Sequence, residues 1–326
     1  MRTSNMNISV DTPISILQSF LEKLQWLNNE QLQTITSAGE GNMNVVLRVI
    51  TDKRSFILKQ SRPYVQKYPT IPAPIERIDV EAQFYSALTK TTVSNHLPTV
   101  INYAPEEYLL MMSDLGDIVD MTSIYSSRVV DKDHLAQLVK IAYQCHQSEI
   151  SSDFPENMKL RLLNHQHIFV LPFDSDNGFS LDDVQEGLQE IASGYQGDHA
   201  LIKVISLMGD QYLSAGSSLI HGDYYPGSWM RSGTDLYVLD PEFAHVGDPE
   251  FDLGVIAAHV IIATHESSNF DQIIQAYPGQ LNIENMRRYA GIEIMRRLIG
   301  LAQLPISRSL QEKQQLMDIA NSLITS

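Results

Sequence analysis

The chain has 326 residues, 43% of them hydrophobic and 19% charged, which is typical of a folded protein long enough for two lobes and a substantial core. Its formal net charge of -16 excludes nucleic acids and anionic membranes as expected partners, because so acidic a surface repels phosphate groups. The single cysteine, Cys145, excludes a disulfide framework, and the N-terminal MRTSNMNISVDTP lacks the apolar run of a signal peptide. We therefore expect a cytoplasmic protein.

The first part of the chain shows the pattern of a small β-rich lobe. Residues 13–27 carry apolar side chains at helical spacing, and β-rich runs predict strands over 32–36, 45–50 and 55–60. A turn of small residues joins the first two strands, so the three strands predict an antiparallel meander. A helix over 77–88 and a strand over 108–112 complete this lobe.

After a linker at 113–116 the pattern becomes mainly helical, apart from a strand-like block at 218–242. The longest apolar stretch, Leu253 to Ala263, is too short to span a bilayer and predicts a buried helix. The order of elements predicts an α+β, bilobal fold with lobes at 1–114 and 115–326.

A candidate for chemistry is the turn His221-Gly222-Asp223, which follows an apolar pair. An aspartate on such a turn can accept a hydrogen bond from an attacking hydroxyl, which is the role of the base in phosphoryl transfer. Alone the motif is weak, because an aspartate that only stabilises a turn is more common.

The strand at 236–239 ends at Asp240-Pro241-Glu242. Because proline disfavours helical geometry in the preceding residue, we expect Asp240 to be extended, so that Asp240 and Glu242 project to the same side. Two carboxylates offer the hard oxygen ligands that Mg²⁺ prefers, and we favour metal binding over two solvated turn residues.

The same tripeptide recurs at Asp248-Pro249-Glu250, where a structural role is the better interpretation. Asp248 at the N-cap, Pro249 at the first helical position and Glu250 in the first turn would begin a helix. Asp252, on the same helix, is expected to brace the loop that contains His221.

The N-terminal turn, Gly39-Glu40-Gly41-Asn42-Met43-Asn44, is neither a Walker P-loop nor a dinucleotide fingerprint. Its backbone N–H groups could lie over phosphates, although an ordinary hairpin is an equal alternative. Lys59 ends the third strand and Glu81 lies on the next helix, an order that matches the lysine–glutamate pair with which kinases bind the phosphates of ATP.

Arg296 and Arg297 lie in an otherwise apolar helical stretch. Adjacent helical residues point about 100° apart, so both cannot be freely solvated on one face. A clamp for a phosphate or polyol and ion pairing with carboxylates are the alternatives, and the residues alone favour ion pairing.

Taken in order, these motifs resemble the 5-methylthioribose kinases, within the aminoglycoside phosphotransferase branch of the protein-kinase-like folds. The matching segments begin near residue 37 and are GEGNMNVVLRV, FILKQSRPYV, MMSDLG, HGDYYPGSWM, LDPEFAHVGDPEFDLG and MRRLIGLA. The resemblance implies an ATP- and Mg²⁺-dependent phosphotransferase with an alcohol group as acceptor. Its N-terminal lobe would bind the nucleotide, and its C-terminal lobe would carry out catalysis and bind the substrate.

The resemblance also assigns roles to individual residues. It implies that Asp223 is the catalytic base and that Arg296 and Arg297 face the sugar and the transferred phosphate. For the metal it implies Asp240, Glu242 and Ser228. For the nucleotide, the residues indicated by motif order and by resemblance are Gly39, Gly41, Asn42, Asn44, Lys59, Glu81, Met112, Asp114 and Leu115.

The chain departs from the resemblance at Tyr224-Tyr225-Pro226, where that family has Leu-His-Thr. The acceptor is therefore open: 5-methylthioribose or a related sugar comes first, and an aminoglycoside or choline is the alternative. A non-catalytic nucleotide-binding pseudokinase is disfavoured because Lys59, Asp223 and Asp240 are all present. The oligomeric state is open, with a homodimer among the alternatives.

Overall fold

A computed structural model describes residues 6–39, 43–301, 303–304 and 306–326. The described residues divide into two compact units, of which the first ends at Ile118 and the second covers Val119–Ser326. In the described part of the chain, no helix combines the length and apolar character needed to cross a membrane.

An antiparallel sheet forms the centre of the first unit, with strand order β1-β2-β3-β7-β6 in the described residues. The predicted meander is confirmed by this order. A separate hairpin pairs β4 with β5. The strands of this unit are β1 (Leu32–Ser37), β2 (Val45–Thr51), β3 (Ser55–Gln60), β4 (Tyr64–Val65), β5 (Tyr68–Pro72), β6 (Val100–Ala104) and β7 (Leu109–Ser113).

Helices α1 (Ile14–Lys23) and α2 (Arg77–Leu88) pack on this sheet. Phe56 and Leu58 of β3 join the core cluster that contains the buried face of α1. Successive side chains of a strand point to opposite faces, so Lys59 lies on the other face of β3 from these two residues. The alternation along β3 therefore decides where the lysine points.

Short 3-10 helices cover Thr92–His96 and Pro105–Glu107.

The second unit is mainly helical in its described residues, as predicted. Its helices are α3 (Ile124–Ser127), α4 (Lys132–His146), α5 (Met158–His165), α6 (Leu188–Gln196), α7 (His199–Leu213), α8 (Pro249–Thr264), α9 (Asn269–Ala276), α10 (Ile283–Ile299) and α11 (Leu310–Thr325). Its strands are β8 (Val119–Asp120), β9 (Ser218–Ile220), β10 (Trp229–Ser232), β11 (Asp235–Val238) and β12 (His245–Gly247). They form small antiparallel sheets ordered β11-β10-β8 and β12-β9.

Helices α8 and α10 form the centre of the second unit. The run from Leu253 to Ala263 is fully buried within α8, which confirms the predicted buried helix. At Gly254 the helices approach so closely that an added Cβ would lie 2.7 Å from the Cβ of Tyr289 and 3.0 Å from the backbone N of Ala290. The small residue therefore sets the spacing of two helices that also carry polar side chains.

Candidate functional site

Lys59 and Glu81 form a buried ion pair in the first unit. Lys59 Nζ lies 2.6 Å from Glu81 Oε2, and the two side chains are 3% and 0% exposed. Removing two charges from water is costly, so such a pair is weak evidence for stability and better evidence for a specific role. The predicted contact is confirmed, while the binding of phosphates by Lys59 stays a prediction.

The turn between β1 and β2 is described only at its ends, and the predicted residues Gly41 and Asn42 lie outside the described part. Gly39 has φ of +113°. Asn44 is buried, and its Oδ1 accepts a hydrogen bond from Ser61 Oγ at 3.0 Å. The Asn44 side chain therefore anchors the turn to the chain that follows β3.

The linker after β7 is fixed by the side chain of Asp114. Arg48 of β2 contacts both carboxylate oxygens at 3.0 Å, and the backbone N–H of Gly116 donates to Oδ1 at 3.0 Å. Met112 is buried and Leu115 is partly buried. The Asp114 carboxylate thus has a structural function, and contact of the linker backbone with an adenine stays a prediction.

Asp223 of the second unit ends the turn that follows β9. Gly222 has φ of +81°, and a Cβ at this position would lie 2.3 Å from the carbonyl oxygen of Phe243, so a side chain would not fit. The backbone N–H groups of His221 and Gly222 donate to the Asp252 carboxylate at 2.7 and 2.9 Å. The expected bracing of this loop by Asp252 is confirmed.

Asp252 is itself held by buried partners. His146 Nε2 lies 3.1 Å from Asp252 Oδ2, and Tyr277 Oη lies 3.1 Å from the other ring nitrogen of His146. Burial alone would raise the pKa of Asp252, but the His146 hydrogen bond and the donors of the turn keep that pKa below its usual value. The turn that presents Asp223 is therefore fixed by an ionised carboxylate.

The carboxylate of Asp223 faces the two predicted arginines. Arg297 Nη2 lies 3.5 Å from Asp223 Oδ1, and Arg296 Nη2 lies 3.9 Å from it. The Asp223 side chain is 25% exposed, whereas the two arginine side chains are 9% and 6% exposed. Burial raises the pKa of Asp223, and both guanidinium groups oppose that rise.

Glu293 orients both arginines from one turn earlier on α10. Arg297 Nε donates to Glu293 Oε1 at 2.8 Å, and Arg296 Nε donates to Glu293 Oε2. The ion pairing that the residues alone favoured is therefore present together with the contacts to Asp223. Burial would raise the pKa of Glu293, but the two arginines and His259 hold it well below its usual value.

His259 extends this network from α8. Its Nε2 lies 3.0 Å from Glu293 Oε1, and its Nδ1 lies 2.7 Å from Tyr125 Oη. Burial lowers the pKa of His259 to about 4, so the ring is neutral at pH 7, with Nε2–H donating to Glu293 and Nδ1 accepting from Tyr125. Sequence reasoning missed this network, although a histidine or glutamate inside an apolar helix is a detectable signal.

The predicted metal ligands differ in burial, and the expected backbone of Asp240 is wrong. Asp240 is exposed, with φ of +64° and ψ of +48°, so it is left-handed and not extended. Glu242 is 5% exposed on the short 3-10 helix Pro241–Phe243. Ser228 is buried, and its Oγ donates to the carbonyl of Asp223 at 3.0 Å. Among the described residues, no group of three His, Cys, Asp or Glu side chains could bind a metal.

The second Asp-Pro-Glu copy begins α8, as predicted, with Asp248 at the N-cap and Pro249 as the first helical residue. The expectation that the Asp248 side chain caps the helix by a hydrogen bond is wrong, because this side chain accepts no hydrogen bond from the first turn of α8 in the described residues. Instead, Asp248 Oδ2 accepts a hydrogen bond from Gln211 Nε2 at 2.6 Å. Glu250 Oε1 accepts from the backbone N–H of Asn282 at 2.7 Å, which ties α8 to the start of α10.

The sequence model of the phosphotransferase enzyme family matches residues 34–292. The chain belongs to the phosphotransferase enzyme family. One curated relative is the methylthioribose kinase of Exiguobacterium sibiricum, which is 26% identical over 269 residues. The match covers 76% of this chain and 67% of the relative. The methylthioribose kinase of Bacillus mycoides is 22% identical over 343 residues, 88% of this chain and 86% of that one.

Solved structures support the fold of this phosphotransferase. Choline kinase LicA from Streptococcus pneumoniae aligns with a TM-score of 0.54 at 12% identity, covering 94% of this chain and 98% of its own. A spectinomycin phosphotransferase in complex with ADP and spectinomycin aligns with a TM-score of 0.53 at 12% identity, covering 94% and 97%. Both matches confirm the predicted kinase-like α+β fold.

Family membership and the curated relatives make the chain an ATP-dependent phosphotransferase with an alcohol group as acceptor. The phosphotransferase therefore uses a nucleotide and acts on a small molecule.

Proposed function

We propose that this phosphotransferase transfers the γ-phosphate of Mg-ATP to a hydroxyl of 5-methylthioribose or a related sugar. The observation that carries the proposal is the Asp223 carboxylate, which faces Arg296 and Arg297 while Glu293 fixes both arginines from behind. The names of the curated relatives support the sugar.

Asp223 is proposed to act on the acceptor hydroxyl. It would accept the proton as the O–H bond breaks and the new O–P bond forms, with ADP leaving as the terminal P–O bond breaks. Burial raises the pKa of Asp223, which makes its ionised form a stronger base than a solvated aspartate.

Arg296 and Arg297 are proposed to stabilise the charge on the phosphoryl oxygens during transfer. Their guanidinium groups are buried and already oriented by Glu293, so they would need little reorganisation during the reaction. A neutral sugar gains charge only as it is phosphorylated. The arginines would therefore contribute more to kcat than to binding of the sugar.

The first unit is proposed to bind the nucleotide, with Lys59 on its phosphates, the Gly39–Asn44 turn beside them and the Met112–Leu115 backbone at the adenine. The exposed carboxylate of Asp240 and the buried one of Glu242 fit Mg²⁺ by ligand chemistry, with Ser228 as a third oxygen. The left-handed backbone of Asp240 supports this role, because strained non-glycine residues cluster at functional sites. Bound Mg-ATP would supply the phosphoryl group. Cytoplasmic location and assembly as a homodimer remain proposals beside this one.

A coupled assay of ADP release tests the acceptor, with 5-methylthioribose, ribose, choline and kanamycin compared at equal concentration. We expect the highest kcat/KM with methylthioribose. An aminoglycoside or choline is the second candidate, supported by the fold of the structural neighbours. A cationic acceptor would meet two guanidinium groups beside Asp223, which disfavours it. Release with choline or kanamycin but not with methylthioribose would overturn the sugar and retain the kinase. The absence of release with all four would favour a pseudokinase.

A further inference from the structure

A cavity of about 250 Å³ lies in the second unit beside the last turn of α10. Its described walls come from the end of α10, the first turn of α11, residues 184–185 and the segment that leads into α11. Complete ligand sites typically measure about 300–1,000 Å³. The cavity therefore suits a small ligand, or one end of a larger one.

Cationic side chains dominate the charge of this cavity. Its described lining includes Arg297, Arg308 and Lys313 but no aspartate or glutamate. Arg308 is 7% exposed and donates to main-chain carbonyls such as that of Tyr125 at 2.9 Å, and to His265 Nε2 at 3.2 Å. These hydrogen-bond partners carry no formal negative charge, and the carboxylate of Glu312, which attracts Arg308, is shared with Arg128.

Lys313 is the decisive residue. It is 5% exposed, and the described part of the chain offers its ammonium group no hydrogen bond or ion pair. The adjacent Glu312 is already occupied, because its carboxylate contacts Arg128 at 2.6 Å and caps α11 through Ser309. Most of the Lys313 side chain is withdrawn from water, and burial lowers the pKa of Lys313. Although the chain has 39 acidic residues, none of those in the described part pairs with Lys313, and this favours a negative ligand.

We propose that this cavity binds an oxyanion, either a carboxylate or a phosphate group, with Lys313 as its counter-charge. Gln185, Gln303 and Ser307 line the same space. Gln185 Nε2 already donates to the Arg308 carbonyl at 3.3 Å, whereas Gln303 Nε2 has no hydrogen-bond partner among the described residues. Arg297 lines the cavity and also lies 3.5 Å from Asp223, so the oxyanion would lie one guanidinium group away from the proposed base. It can be a free phosphate, or an anionic substituent on a related sugar. The second case rests on the proposed transfer to a sugar and replaces the neutral 5-methylthioribose as acceptor.

Calorimetric titration of the full chain with inorganic phosphate, without nucleotide, tests the cavity itself. We compare the parent with Lys313→Met and with Lys203→Met, which removes the same charge from an exposed position on α7. The parent and Lys203→Met should bind phosphate, whereas Lys313→Met should bind it at least about tenfold more weakly, as expected for one charge-assisted hydrogen bond. If Lys313→Met binds phosphate as tightly as the parent, the phosphate lies elsewhere and the proposal is overturned. The proposal is also overturned if the parent does not bind phosphate.

Thermal unfolding gives a second readout that does not need activity. Without an anion, Lys313→Met should melt at the same temperature as the parent or above it, because an apolar side chain replaces a largely buried lysine that has no counter-charge among the described residues. Added phosphate should raise the Tm of the parent and of Lys203→Met but not that of Lys313→Met. A Tm increase of equal size in all three proteins would contradict the inference.

ADP release then distinguishes the two sources of the oxyanion. If the acceptor carries it, the parent should prefer ribose 5-phosphate over ribose, and Lys313→Met should lose this preference. If the ligand is free phosphate, the parent should treat both sugars alike, and added phosphate should change the KM for ribose in the parent only. Phosphate binding that depends on Lys313, with no ADP release from any acceptor, would support the cavity while contradicting the proposed function.

Discussion

Replacement of Arg297 by methionine tests how the arginines tune the proposed base. Two unit charges about 4 Å apart attract by about 1 kcal/mol in water and about 4 kcal/mol at an effective dielectric constant of 20. Arg297 Nη2 lies 3.5 Å from Asp223 Oδ1, and the Asp223 side chain is 25% exposed, so we take the lower half of this range, about 1–2 kcal/mol.

The loss of this attraction favours protonated Asp223. We expect the proton to bind Asp223 roughly tenfold more tightly in Arg297→Met, which moves the acidic limb of the kcat profile to higher pH. At the optimum, kcat should also fall by roughly 10²–10³, the loss typical of one donor to a developing charge. Glu293 keeps Arg296 and His259 as partners, so the variant should fold.

The assay is ADP release from about pH 5 to about pH 9, with thermal unfolding as a check on folding. Arg287→Met is the matched control, because Arg287 is exposed on the same helix and its removal changes the net charge equally. The electrostatic coupling of Arg297 to Asp223 would be refuted if the acidic limb lay at the same pH in the parent and in both variants.

Three further predictions concern Glu293, Asp240 and Lys59. Glu293→Gln should lower the free energy of unfolding at pH 7 by about 3 kcal/mol, which chemical denaturation measures. The same variant should move the acidic limb of the kcat profile to lower pH, because the Glu293 charge raises the pKa of Asp223. Since the folded pKa of Glu293 lies below 4.5, its contribution to stability is complete at pH 7 and is lost only on strong acidification, so an unchanged difference between variant and parent at low pH would contradict this. Asp240→Asn should weaken Mg²⁺-dependent ATP binding measured by calorimetry, whereas Asp248→Asn should leave it intact and change stability by about 0.5 kcal/mol or less; the reverse pattern would exchange the two roles. Lys59→Met should weaken ATP binding at least about tenfold in the same titration, and binding equal to the parent's would remove Lys59 from the nucleotide site.

Much of the fold could be predicted because local patterns agree with the final packing. Alternating apolar residues in β2 and β3 specify their inward faces, and α2 occupies Arg77–Leu88 as predicted. The contact of Lys59 with Glu81 follows from the order of a strand and the next helix, so motif order was sufficient to predict it.

The backbone of Asp240 could not be predicted by the rule for residues before proline. That rule disfavours right-handed helical geometry and points to extended backbone. It does not settle the left-handed region, which aspartate adopts more readily than most residues. Asp240 has φ of +64° in the turn that follows β11, and the dipeptide alone does not encode this choice.

The network behind the arginines also lay beyond sequence reasoning. Glu293 and His259 are 34 positions apart, and they meet because α8 and α10 pack side by side. The residues indicate only that each is polar within an apolar helix. Which partner each finds depends on the rotation of both helices, and that is fixed by close contacts such as the one at Gly254.

The most direct test of the central claim is Asp223→Asn, compared with Asp235→Asn at an exposed position on β11. ADP release measures turnover, and calorimetry measures ATP affinity on the same preparations. We predict that kcat of Asp223→Asn falls by roughly 10²–10⁴ while ATP affinity stays within about twofold of the parent, because the carboxylate acts on the acceptor hydroxyl. Asp235→Asn should match the parent in both. Turnover by Asp223→Asn at the parent's rate would contradict the account.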